Sequence, residues 1–140
     1  MNIDIPLREL GPVDSTALRD AVLAQVDRAW QEDIYRQEAF EVQRSIQSIV
    51  VLFVDIDRWP DIVVEKEPGW PRLADAALPV MNDITTSPAA RSYAMAAKLV
   101  AGGKITPHVD RHPSFHHGHR IHVPISTSSR VRFMIDGKPY

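Results

Sequence analysis

Six consecutive apolar residues, Ile49-Val50-Val51-Leu52-Phe53-Val54, make the longest uninterrupted hydrophobic run of the chain. Successive side chains of a strand point to opposite faces of its sheet, so such a run demands cover on both faces. The residues before it, Ser45-Ile46-Gln47-Ser48, alternate instead, and 45–54 reads as a strand entering a core, ended by Trp59-Pro60. The run falls far short of the ~20 apolar residues of a membrane-spanning helix. With 140 residues, 44% of them hydrophobic, the chain has material to bury this strand within one domain.

Two helices are expected beside it. Asp14 or Ser15, after Gly11-Pro12, can cap a helix whose apolar positions Leu18, Val22, Val26 and Ala29/Trp30 fall at helical spacing. Pro71 suits the first turn of a second helix carrying Leu73, Ala77, Val80/Met81 and Ile84, which Pro79 should kink or shorten. Ile3, Ile5 and Leu7 alternate as a short opening strand, and 61–70 reads as a loop rich in Pro, Gly and charge. Strand-like pieces follow at 92–100, 104–110, 120–125 and 130–135. Ala101-Gly102-Gly103 and Thr127-Ser128-Ser129 supply tight turns between them. Helices first and strands last predict a single α+β domain with a sandwich or barrel, residues 1–90 supporting a β core at 91–140.

Sixteen Lys plus Arg against eighteen Asp plus Glu leave a formal charge of −2, which offers no footprint for phosphate backbones or anionic lipid. The amino terminus, MNIDIPLREL, lacks a basic-then-apolar signal pattern. The expectation is a cytoplasmic protein with neither a nucleic-acid nor a membrane partner. Cysteine is absent, so thiolate chemistry is excluded and metal ligation is left to His, carboxylates and water.

All six histidines fall between residues 108 and 122. Pro113 and Gly118 interrupt the centre of that segment, so His112, His116, His117 and His119 read as a polar loop rather than helical metal pairs. The flanks carry more chemistry. His108 and Asp110 stand two apart on a strand-like piece and share a face, as two of the three ligands of a 2-His-1-carboxylate iron site would. Arg120 and His122 repeat the spacing, with Ile121, Val123 and Ile125 on the opposite, apolar face. That polar face either meets solvent or lines a barrel interior, where Arg120 offers a two-pronged donor to a dicarboxylate. Lys98 and Arg132 are spare cations nearby and read as solvated surface charges.

The run Gly102-Gly-Lys-Ile-Thr-Pro-His-Val-Asp110, a His-rich spacer, and His119-Arg-Ile-His-Val-Pro-Ile125 resemble the aspartyl/asparaginyl β-hydroxylase family of Fe(II)- and 2-oxoglutarate-dependent oxygenases. The likeness is specific over 98–135 and looser over 28–57. It implies a double-stranded β-helix, a cupin-like jelly roll flanked by N-terminal helices. It makes His108 and Asp110 metal ligands and assigns Arg120 and His122 to the carboxylates of 2-oxoglutarate. The implied activity is a dioxygenase that hydroxylates an amino-acid or peptidyl side chain of Asp, Asn or Pro type. Fe(II), O2 and 2-oxoglutarate are its cofactors and co-substrates, with succinate and CO2 as co-products.

One departure from the family pattern bears on all of this. The resemblance calls for a second metal-binding His and a following Arg further downstream, and the sequence reaches Tyr140 before either. Val131-Arg-Phe-Met-Ile-Asp-Gly-Lys-Pro-Tyr140 reads as a strand entering a turn without its return partner. The expectation is a fragment whose barrel lacks its C-terminal part, poorly soluble or oligomeric alone, with the distal His beyond residue 140. A truncated relic of the family, a non-catalytic cupin-like metal-binding protein and an isomerase using His108 as base are the alternatives.

Overall fold

In the computed structural model, residues 7–55, 58, 61, 63–85, 93–109 and 119–140 are described. The apolar run forms the centre of the sheet. Strand β1, Ile46–Val54, lies between β2, Val64–Lys66, and β3, Ala94–Leu99, both antiparallel to it. Register runs from Ile46 opposite Leu99 to Val50 opposite Met95, then slips, so that Leu52 rather than Val51 faces Ala94. The slip is an irregularity of register between Val50 and Leu52, which, as at a β-bulge, relaxes the strict alternation of side chains. Its consequence is visible in the core, where Ile49, Val51 and Leu52 all join one cluster with Val22, Ala29, Trp30 and Leu73.

Helix α1, Thr16–Leu23, and helix α3, Trp70–Ile84, pack on each other, and α3 also packs on β1. A short helix α2, Tyr35–Ala39, lies between them in sequence. The arrangement is a small α+β fold with a three-stranded antiparallel sheet and three α-helices among the described residues. Among the described residues, no helix is long and apolar enough to cross a membrane.

The helix expected over 15–30 is two pieces. Ser15 is the N-cap by position, but the carboxylate of Asp14 does the capping, accepting the Thr16 N–H at 3.0 Å. That bond holds the Asp14 carboxyl below the ordinary carboxylate range. Helix α1 stops at Leu23, Val26 turns extended, and a 3-10 turn spans Asp27–Gln31. The break leaves Val26 exposed and lets Ala29 and Trp30 enter the core, against β1. One straight helix would keep Val26 and Trp30 on the same stripe.

Helix α3 follows the expected stripe, burying Leu73, Ala74, Ala77 and Val80. It runs through Pro79 and is not shortened. Pro79 and Asp75 are both exposed, so the carbonyl that Pro79 leaves without an N–H partner lies on the water side. The start of α3 sits against β1, where the Gly69 N–H donates to the Val50 carbonyl at 2.9 Å. A Cβ at Gly69 would stand 2.3 Å from that carbonyl oxygen and 2.6 Å from Ile49 Cγ2. Gly69→Ala should therefore push α3 off the strand and cost about 2–3 kcal/mol. The check is a lower urea midpoint at unchanged slope.

The last third departs most from expectation. The piece at 92–100 is strand β3, and the chain turns where Ala101-Gly102-Gly103 predicts, with Gly102 at φ +75° and the Gly103 N–H on the Val100 carbonyl at 2.9 Å. No strand is found over 104–109 or 119–125. Pro107 has no N–H for a ladder, and Val109 is 80% exposed with no layer to cover it. At 130–135 the strand shrinks to β4, Met134–Ile135, and its return partner is present as β5, Lys138–Pro139. Asp136 and Gly137, at φ +51° and +73°, make the type I′ turn between them, and the Tyr140 N–H on the Phe133 carbonyl at 2.8 Å extends the pairing. Strand β2 occupies part of the expected loop at 61–70. The opening strand falls largely on residues 1–6, outside the described residues.

Candidate functional site

His108 follows the turn at Val100–Gly103 on an irregular, exposed segment. Its Nδ1 lies 2.8 Å from the carbonyl oxygen of Thr106. A carbonyl can only accept, so Nδ1 is the protonated nitrogen of this contact. An N–H bonded to a backbone carbonyl is the usual brace of a metal-ligating imidazole, fixing both tautomer and ring orientation. The donor chemistry at His108 thus fits a metal ligand. Asp110, the paired carboxylate, lies outside the described residues, as do His112, His116 and His117. Among the described residues, no group of three His, Cys, Asp or Glu side chains comes together as a metal site.

Arg120 and His122 are exposed on the segment after the spacer. The His122 ring packs against Phe133 with centroids 5.0 Å apart and planes tilted by 59°. Ile125 is partly buried against the main core, which ties this segment to the sheet. The Val131 N–H on the Ser128 carbonyl at 2.9 Å turns the chain near the expected Thr127–Ser129 position. The alternation that sets Ile121 and Val123 apart from Arg120 and His122 is not realised as a strand, and Ile121 remains exposed.

Lys98, read as a solvated charge, lies over the Trp30 ring, its Nζ 4.7 Å from the ring centre. There it covers the rim of the core as a cation–π partner. Arg132 is exposed. A separate hollow lies beside β1, lined in part by Asp33, Ser48, Pro68 and Gly69. Ser48 there is 1% exposed and its Oγ finds no hydrogen-bond partner. Among the described residues, none that lines that hollow comes from the His108–His122 stretch.

The sequence reading missed a cluster around Arg36. Its guanidinium contacts the hydroxyl of Tyr93 and the sulfur of Met95, at the Val54 end of the sheet. The signal was hard to find, because these residues are 57 and 59 positions apart and meet only when β1 pairs with β3. Comparison of the chain with protein-family models, with curated proteins and with solved structures found no match.

Proposed function

We propose that this chain carries the iron- and co-substrate-binding residues of an Fe(II)- and 2-oxoglutarate-dependent dioxygenase that hydroxylates an amino-acid or peptidyl side chain of Asp, Asn or Pro type. The observation that carries the reading is the braced imidazole of His108, whose Nδ1–H is engaged by the Thr106 carbonyl. The His-x-Asp spacing and the Arg-x-His pair downstream support it, as does the family likeness over 98–135. In this reading His108 and Asp110 hold the metal, with a third ligand on a segment beyond the resemblance quoted above. A cupin-like double-stranded β-helix would bring the ligand segments together.

When bound, Fe(II) with O2 and 2-oxoglutarate supplies the oxidising power for C–H hydroxylation. The chain's own task is to bind and orient. Arg120 presents paired N–H donors to a carboxylate of 2-oxoglutarate. His122, seated on Phe133, adds a second polar contact beside an apolar ring. The deciding assay is succinate release by the full-length protein with Fe(II), O2 and 2-oxoglutarate each omitted in turn. Turnover should need all three. Iron binding without succinate release would instead identify a metal-binding protein, and turnover without O2 would exclude oxygenase chemistry. Arg120→Lys keeps the charge but loses the planar fork, so KM for 2-oxoglutarate should rise roughly tenfold with little change in substrate binding. Equal co-substrate kinetics would remove Arg120 from this role.

A further inference from the structure

Residues along an antiparallel pair alternate between those that bond the partner strand and those whose N–H and C=O point the other way. The Val100 N–H on the Ser45 carbonyl at 3.0 Å sets that phase for β1 and β3. With Ser48 opposite Ala97, the backbone groups of Ile46, Ser48 and Val50 therefore turn away from β3. Strand β2 takes up this second edge of β1 only at 52–54. Before it, two of the outward carbonyls have other donors. Gln37 Nε2 lies 2.6 Å from the Ile46 oxygen, and the Gly69 N–H lies 2.9 Å from the Val50 oxygen. Ser48 stands between them, and among the described residues no hydrogen bond reaches its N–H or C=O.

The hollow beside β1 lies at this gap. Ser48 and Val50 line it from the strand, Ala29 and Asp33 from the side of the 3-10 turn, and Gly69 from the start of α3. Ser48 is 1% exposed, and its Oγ has no hydrogen-bond partner either. Three polar groups of one buried residue thus meet a hollow whose free space admits about one water molecule. Left unmet, each would carry a desolvation penalty that native folds avoid.

The chemistry selects the occupant. An outward N–H beside an outward C=O calls for a partner that accepts from one and donates to the other, and a hydroxyl suits either. A cation cannot accept from the N–H. An anion cannot donate to the C=O and would face the Asp33 carboxylate. Glu32, the other acid at the hollow, is already neutralised by Arg72 through both oxygens at 2.7 and 2.9 Å. We propose that the hollow is the binding site of a single structural water, held by the N–H, C=O and Oγ of Ser48. It completes the edge of β1 where β2 ends, beside the turn that carries Trp30 into the core. The proposal stands without the oxygenase reading.

The test combines water-to-amide NOE measurements on the 15N-labelled chain with the variant Ser48→Ala. The amide of residue 48 should show an NOE of the sign of a held water, not of surface hydration. It should persist in Ser48→Ala, where no hydroxyl proton can relay it. Because the water satisfies Oγ, removing that hydroxyl should lower the melting temperature by roughly 2–5 °C. The proposal requires both results. Absence of the NOE in the wild type, or its loss in Ser48→Ala, would overturn it. So would an unchanged or higher melting temperature in the variant, the result expected of a hydroxyl buried with no partner at all. A wild-type melting temperature that rises saturably with potassium or ammonium chloride over choline chloride at equal ionic strength, and does not in Ser48→Ala, would identify a monovalent cation and overturn the water. Should Ser48→Ala not fold, a crystal structure of the wild type decides: density within hydrogen-bond distance of the Ser48 N and O supports the site, and a closed gap overturns it.

Discussion

Replacement of His108 by Ala is expected to abolish iron-dependent succinate release in the full-length protein and to weaken Fe(II) binding by on the order of 100-fold or more. The size follows from the proposed role as a metal ligand. A ligand that is lost cannot be replaced by water without giving up both the imidazole donor and the orientation that the Thr106 carbonyl imposes on it. The fold should not suffer, because His108 is exposed on a segment that belongs to no strand and contributes nothing to the buried cluster. Circular dichroism and the melting temperature should match those of the wild type. Anaerobic Fe(II) titration is the direct measurement, and an unchanged affinity in the variant would remove His108 from the metal site. Asp110→Ala should give a comparable loss.

The largest stability effect is expected from Leu73→Ala. Leu73 is 1% exposed and sits on α3 where that helix meets β1 and the α1 side of the core, among Val22, Ala29, Trp30, Ile49, Val51 and Leu52. Removing its branched end strips transfer energy and leaves a cavity that helix and strand can only partly close, at a cost of about 3–5 kcal/mol. Small domains have only about 5–15 kcal/mol in total, so about a fifth or more of the stability should go. The urea midpoint should fall at unchanged slope. Val109→Ala, at an 80% exposed apolar residue, should change stability by no more than about 0.5 kcal/mol. A Leu73→Ala loss below about 1 kcal/mol would mean that the α3–β1 contact is not the centre of the core.

Local pattern was a good guide wherever one element's own side chains decide its state. The run Ile49–Val54 signalled a central strand, and the spacing of Leu73, Ala77 and Val80 signalled α3 with its buried stripe. Gly102 marked a turn because a left-handed residue is needed there. The Asp136-Gly137 pair was an equally strong signal, since both central residues of a type I′ turn take positive φ. The expectation of a strand without a return partner overlooked this signal, from which the return strand at Lys138–Pro139 follows.

Pattern failed where the outcome depends on what lies across from a segment. The alternation at 104–109 and 119–125 meets the requirement for a strand's side chains, but a strand also needs a neighbour for its N–H and C=O groups and a layer for its apolar face. Pro107, Val109 and Ile121 have neither in full, so these stretches stay irregular. The helix that breaks after Leu23 does so because Trp30 gains more by entering the core against β1 than by continuing the helix. The register slip between Val50 and Leu52 is a further decision of packing, taken between β1 and β3.

The functional residues divide along the same line. By itself the sequence determined the chemical candidates, His108 with Asp110 and Arg120 with His122, because spacing and residue type are local properties. It also determined the central strand, the α3 stripe and the α+β class, each of which rests on hydrophobic periodicity. Only the tertiary structure decided that the His108 ring is held through Nδ1, that His122 lies on Phe133, and that Arg36 meets Tyr93 and Met95. The reason is physical. A hydrogen-bond partner or a counter-ion is chosen by distance in space, and residues 57 positions apart come within reach only after the antiparallel pairing of β1 with β3 has set the register.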